Sequence, residues 1–285
     1  MKEVIVSKTD ETKMSNILVE GVSYDKESQT FTFDFLHENK IDILPMTRQV
    51  HQLNAFGNCY YYGYEFSDNV DHTLRTRFLK YIKFDRDFQN QEDFNSFIYN
   101  AVTALDDAIS LPMYDVFVYP ESMSELNRRI LSNMARIAQP TVVSMELVKE
   151  IPSKIEFDYD RFETEFLSAK NPDGYPKYTE HAKKQIVDNV RELMDMVHQK
   201  DYFSIARDIK KNKYRSFLKN FYKFKDEKDK VLYQTLLNSN VLLFDDIVTT
   251  GSTIYYLLNS LRSVNDNNKI VIFSLIGSKK ANQII

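Results

Sequence analysis

Residues 241–253 read Val241-Leu242-Leu243-Phe244-Asp245-Asp246-Ile247-Val248-Thr249-Thr250-Gly251-Ser252-Thr253. Four apolar residues run into two adjacent carboxylates. Two further apolar residues then lead to a hydroxyl-rich turn around one glycine. A short continuous apolar run is the pattern of a strand buried on both faces, as in a parallel sheet. Asp245 and Asp246 therefore fall where that strand should end, and ligands of open α/β sheets bind just beyond the carboxyl ends of strands. Gly251 is able to take positive φ and turn backbone N–H groups outward. Beyond it, Ile254, Leu257, Leu258 and Leu261 keep the spacing of an amphipathic helix, which Ser252 or Thr253 would cap. A helix N-terminus with free N–H groups and flanking hydroxyls binds anions, phosphate above all. Carboxylates repel phosphate, so the acid pair should face the neutral hydroxyls or the metal of the same ligand. A sugar phosphate with Mg²⁺ fits that arrangement.

This stretch resembles the thirteen-residue signature of the type I phosphoribosyltransferases. The resemblance implies a binding site for 5-phosphoribosyl-1-pyrophosphate (PRPP) with Mg²⁺. Asp245 and Asp246 would then hold the ribose 2′- and 3′-hydroxyls and serve the metal. Thr249, Thr250, Gly251, Ser252 and Thr253 would wrap the 5′-phosphate. The implied activity is that of a glycosyltransferase, which moves the phosphoribosyl group to a nitrogenous base or amine and releases pyrophosphate. The same superfamily contains non-catalytic members that use the pocket to sense PRPP, and such a module is the alternative expectation. A haloacid-type or receiver-type phosphotransfer domain places its acid on a different turn and lacks the Thr-Thr-Gly-Ser-Thr cradle.

The 285 residues suffice for one sizeable core, or for one core plus a small accessory domain. A net charge of −4 gives no global nucleic-acid signature. No apolar run approaches the roughly 20 residues needed to span a bilayer, and the N-terminus turns polar at once. A cytoplasmic enzyme or binding protein, without membrane contact, is the expectation. The single cysteine, Cys59, excludes an intrachain disulfide and a Cys-based zinc ribbon.

Upstream, Ile17–Val19 and the alternating Phe31, Phe33 and Phe35 flank a polar turn at Asp25–Ser28 and predict an antiparallel hairpin. Residues 59–66 carry a row of tyrosines. Such a row could stack bases, but a half-buried strand suits it better. Leu74–Phe84 reads as a short basic amphipathic helix and 92–110 as helical. Tyr114–Tyr119 is then a strand, residues 126–137 a helix and Thr141–Met145 the next strand, a βαβ unit that requires a parallel sheet. In the resembled family the loop after the first core strand grips the pyrophosphate, and Glu121, Ser122, Met123 and Ser124 fall there. Many members have small residues at this place, so Glu121 and Met123 depart from the pattern. An ordinary βα connection capped by Ser122 or Ser124 reads equally well.

Residues 156–200 read as two helices separated by the turn Asn171-Pro172-Asp173-Gly174-Tyr175-Pro176, forming a hood over the pocket or an oligomer contact, as in a homodimer. His181 and His198 on this segment read as surface histidines. Between 207 and 225, eight Lys and Arg residues face one local acid, Asp208. Such a run is most often a solvated face. The family resemblance implies instead a basic loop that closes over the pyrophosphate, with Lys211, Lys213 and Arg215 as candidate catalytic residues. The order Arg215…Asn220-Phe221 resembles the ComF-type branch, linked to DNA uptake, although one cysteine cannot supply that branch's usual N-terminal zinc ribbon. The interleaved Tyr214, Phe217, Phe221, Tyr222 and Phe224 would suit nucleic-acid binding, or equally the buried face of a helix at 214–221. The expected architecture is thus α/β: a type I phosphoribosyltransferase-like, Rossmann-type parallel sheet flanked by helices over 91–285. It carries a helical insertion at about 152–230 and a β-rich accessory segment at 1–90. Strands 114–119, 141–145, 241–244 and 270–276 are its expected members.

Overall fold

The computed structural model describes residues 17–19, 22–25, 30–33, 51–53, 58–65, 72–84, 91–122, 124–138, 143–210, 212–248 and 251–277. Among the sequence candidates, Met123, Lys211, Thr249 and Thr250 lie outside the described residues, as do Phe35 and Thr141. The strands are β1 (Ile17–Val19), β2 (Val22–Asp25), β3 (Thr30–Phe33), β4 (His51–Leu53), β5 (Asn58–Glu65), β6 (Val116–Pro120), β7 (Val143–Lys149), β8 (Glu156–Phe157), β9 (Leu218–Lys219), β10 (Tyr222–Phe224), β11 (Asn240–Ile247) and β12 (Lys269–Gly277). The principal helices are α1 (His72–Phe84), α2 (Gln91–Ile109), α3 (Leu126–Ala138), α4 (Glu180–His198), α5 (Glu227–Thr235) and α6 (Ser252–Val264).

Strand β11 lies at the centre. Val241 through Asp246 are all buried, which is why this stretch carries no polar alternation until its end. It pairs in parallel with β6 on one side and β12 on the other. The seven-stranded sheet runs β10-β7-β6-β11-β12-β5-β4. Its five middle strands are parallel, and β10 and β4 add antiparallel edges. Successive side chains of a strand point to opposite faces. Val241 and Leu243 accordingly join Val116, Val118, Ile254, Leu257 and Leu261 on the face covered by α6. Leu242 and Phe244 join Phe117, Ile130, Phe97 and Phe78 on the face covered by α3, α2 and α1. Truncating one such residue, Leu243→Ala for instance, costs about 2–5 kcal/mol by the usual scale for buried leucines. The result is an α/β sheet, mostly parallel and flanked by helices on both faces, a Rossmann-like arrangement.

The sheet crosses the boundary expected at residue 90. Strand β5 pairs with β12, with Tyr60 opposite Ile272 and Tyr64 opposite Ile276. Its tyrosine row is packing: Tyr60, Tyr62 and Tyr64 are buried. Tyr60 Oη lies 2.6 Å from Ser274 Oγ, and Tyr64 Oη donates to the carbonyl of Phe97 at 2.8 Å. Gly63 permits the contact with α2, because a Cβ there would sit 2.6 Å from Ala101 Cβ. Farther upstream β1, β2 and β3 form a three-stranded antiparallel sheet, with β2 filling the space between the two strands expected from sequence.

The insertion after β7 differs in detail from its expectation. Its first helix is a single turn at Tyr159–Arg161 that widens into a π-type turn at Phe162–Leu167. The turn at 171–176 is present, with Gly174 at φ 85°. Helix α4 follows, capped by Thr179 Oγ1, which accepts from the Ala182 N–H. No helix spans 214–221: a short turn at Asn212–Arg215 gives way to β9 and β10. Asn220, at φ 56°, breaks the helical path there. Tyr222 and Phe224 then alternate with the exposed Lys223, as an edge strand requires.

Candidate functional site

The chain leaves β6 to cross over through α3 toward β7, and leaves β11 to cross through α6 toward β12. The strand order thus reverses between β6 and β11, and the carboxyl ends at such a reversal form the usual ligand crevice of these sheets. Asp245 and Asp246 stand at that position, and both are buried. Asp245 Oδ1 accepts the backbone N–H of Asp246 at 2.9 Å. Asp246 is clamped from the other side. Lys83 of α1 donates to its Oδ1 at 2.9 Å and lies 2.8 Å from its Oδ2, and Ser124 Oγ lies 3.4 Å from the same oxygen.

Burial is the main reason the Asp245 carboxyl is pushed up, to about 7, with the neighbouring charge of Asp246 adding to it. Lys83, the Asp246 N–H and the Asn127 amide pull in the opposite direction. Asp245 therefore favours a proton or a nearby cation. Asn127, near the start of α3, is buried. Its Nδ2 donates to the Pro120 carbonyl at 3.1 Å, while its Oδ1 has no hydrogen-bond partner. Tyr222 adjoins the same cluster and is raised above its usual range by burial, and next by the charge of Asp245.

On the far side of the acid pair, Gly251 adopts φ 83° and forms the N-cap of α6. Few residues other than glycine take that left-handed conformation. Ser252 and Thr253 open the helix, so its first N–H groups and the flanking hydroxyls lie just past the strand end. Thr253 hydrogen-bonds Tyr222.

On the near side, in the loop after β6, Ser122 Oγ lies 3.0 Å from Ser124 Oγ and also accepts the Ser124 N–H at 3.2 Å. Glu121 points away from this pair: it is exposed and ion-paired with Lys225 at 3.0 Å. The structure thus brings Asp245, Asp246, Ser124, Gly251 and the start of α6 to one crevice.

It does not bring the described basic candidates there. The Lys213 ammonium lies 4.8 Å above the Phe166 ring. The Arg215 Nε donates to the carbonyl of Ile209 at 2.8 Å. Lys219, Lys223 and Lys225 pair with Asp158, Glu150 and Glu146, acids distant in sequence. The aromatic residues of the basic run, Tyr214, Phe217, Phe221, Tyr222 and Phe224, are buried. They are packing residues and offer no stacking platform. His181 and His198 are exposed, and His198 Nε2 lies 2.8 Å from the carbonyl of Ile155.

Two members of the cluster, Lys83 and Asn127, have no role in the sequence reading, and Tyr222 enters it only as one of the interleaved aromatics of the basic run. The basic amphipathic pattern of 74–84 marks α1, but nothing local ties it to the acid pair. A separate groove of about 760 Å³ opens on the insertion, lined by Ser153, Lys154, Tyr159, Arg191, Asp195 and His198 among others, and no residue of the acid pair lines it.

Among the described residues no three His, Cys, Asp or Glu side chains cluster as a metal cage. A cation at the acid pair would therefore share its coordination with oxygens of the ligand. Two carboxylates and the unpartnered Asn127 Oδ1 are hard oxygen donors, and Mg²⁺ takes one or two carboxylates together with water and phosphate oxygens, so the residues fit it.

The fold and crevice define an α/β protein with a mostly parallel sheet and a polar site at its switch point. Compared with known protein families and with curated protein sequences, the chain matches none.

Proposed function

We propose that this protein binds PRPP with Mg²⁺ and transfers the phosphoribosyl group to a nitrogenous base or amine, releasing pyrophosphate. One observation carries the reading: a buried carboxylate pair at the carboxyl end of the central strand, followed directly by a left-handed glycine and a helix N-terminus. In this reading the start of α6 takes the 5′-phosphate, and Gly251 lets the backbone approach it. Asp245 and Asp246 accept hydrogen bonds from the ribose 2′- and 3′-hydroxyls and fix the ring. Their negative charge favours the positive character that develops at C1 as its bond to the pyrophosphate oxygen breaks and a bond to nitrogen forms. Ser122 and Ser124 donate to the departing pyrophosphate. Asp245, Asp246 and the Asn127 Oδ1 would hold Mg²⁺, which would supply neutralisation of the diphosphate charge.

A panel of bases and amines offered with PRPP and Mg²⁺ tests the proposal by release of pyrophosphate. The expectation is release with one acceptor, and its loss in the double variant Asp245→Asn, Asp246→Asn with the fold intact by circular dichroism. Full turnover in the double variant would remove the site assignment. Glu121 in the pyrophosphate loop favours the second reading, a sensor that binds PRPP or a nucleotide without turnover and engages a partner through the basic 207–225 face. Saturable binding with no acceptor-dependent release would select it.

A further inference from the structure

We propose that Lys83, carried by α1 outside the βαβ core, is the side chain that meets the diphosphate end of the ligand. This rests on the PRPP reading of the crevice.

A diphosphate needs cationic or N–H donors close to the sugar it leaves, and the sequence pattern assigns that task to Lys213 and Arg215. The structure occupies both elsewhere, over the Phe166 ring and on the Ile209 carbonyl. Lys83 instead touches the acid pair itself, within 2.9 Å of both oxygens of Asp246. Its side chain is 27 % exposed, against 3 % for Asp246, so Lys83 reaches the buried acid from a partly solvent-accessible position. An ammonium has three donors, and one carboxylate engages two at most. The third is directed by a flexible four-carbon stem.

Ser124 approaches the same Asp246 oxygen, and Ser122 adjoins Ser124. Lys83, Ser124 and Ser122 thus form a donor row at Asp246, and Lys83 comes from α1, which packs on the sheet face opposite the one covered by α6. Two anion-binding ends flanking one pair of carboxylates suit a sugar carrying phosphate at both ends. They suit a sugar with a single phosphate less well. Asp246 also holds Lys83 in place before the ligand arrives, so the cation is oriented in advance. This role gives the segment before residue 90 a part in the site as well as in the sheet.

Calorimetric titration of PRPP and of ribose 5-phosphate, both with Mg²⁺, into the full chain and its Lys83 variants tests the proposal. Lys83→Met should weaken PRPP by roughly 10- to 100-fold, the range of one hydrogen bond to a charged group, and leave ribose 5-phosphate within about twofold. Lys83→Arg should restore most of the PRPP affinity. Lys83→Gln, which keeps a donor for Asp246 without the charge, should behave as Lys83→Met and guards against a folding defect. Equal PRPP affinity in wild type and Lys83→Gln would overturn the assignment of Lys83 alone. Equal loss of both ligands would also overturn it, because Lys83 would then serve only to hold Asp246. A wild-type chain that binds neither ligand would overturn the PRPP reading and this inference with it.

Discussion

Replacing Asp245 by Asn should make the ligand-free fold more stable at neutral and alkaline pH. Burial and the charge of Asp246 raise the Asp245 carboxyl from 3.8 to about 7. At about 1.4 kcal/mol per pKa unit, the charged form is disfavoured in the fold by about 4 kcal/mol at most. A working range is about 2–4 kcal/mol. Because the folded pKa lies above the unfolded one, the protonated carboxyl contributes stability fully below about pH 4. That contribution fades as pH rises through about 7. The asparagine amide resembles the protonated acid at every pH, and its Oδ1 still accepts the Asp246 N–H. Thermal unfolding with a chelator present, from pH 5 to 8.5, should show wild type losing stability toward alkaline pH and Asp245→Asn losing less. At roughly 2 °C per kcal/mol for a chain of this size, the variant should melt on the order of 4–8 °C higher at pH 8. The gap between the two curves should narrow toward pH 5 and close only near pH 4, where the unfolded carboxyl is also protonated. A variant that melts lower than wild type at pH 8, or runs parallel to it throughout, would refute the claim that this carboxylate is held charged at a cost to the fold.

Three further outcomes follow from the same geometry. Gly251→Val forces a β-branched residue to φ 83°; it should cost about 1–2 kcal/mol in chemical denaturation and weaken binding of any 5′-phosphate ligand. Gly63→Ala places a methyl 2.6 Å from Ala101 Cβ and 3.0 Å from the Leu275 carbonyl; it should destabilise the whole cooperative transition by about 1–3 kcal/mol, which an accessory segment folding apart from the sheet would not do. Burial alone would raise Asp208, yet Lys200, the Ser204 N–H and Arg207 together hold it down to about 2. Its folded pKa is depressed, so its contribution is present above about pH 4 and lost as pH falls toward 2. Acid titration of Asp208→Asn beside wild type should show the two stabilities approaching each other in that window.

The centre of the fold was legible because β11 is buried on both faces, which leaves an unbroken apolar run that ends where the acids begin. Gly251 was legible for an equally local reason, since a positive φ at a strand-to-helix turn selects glycine. What escaped the sequence lies in long-range pairing. Tyr60 and Ser274, whose hydroxyls meet in the sheet, are 214 residues apart, so the tyrosine-rich strand read as part of a separate segment. The Lys83–Asp246 contact spans 163 residues. The basic run looked unbalanced because only Asp208 is local to it. Its other partners, Asp158, Glu150 and Glu146, come from the preceding strand and insertion. The helix expected at 214–221 failed at Asn220, whose left-handed backbone turns the chain into an edge strand that buries Tyr222 and Phe224 by alternation.

Calorimetric titration of PRPP into wild type and Asp245→Asn, each with and without Mg²⁺, tests the central claim most directly. The account predicts saturable binding to wild type that strengthens with Mg²⁺, and binding lost or weakened at least tenfold in the variant, the scale of one charged hydrogen bond. Binding of equal strength in wild type and variant, or no binding to wild type under either condition, would contradict it.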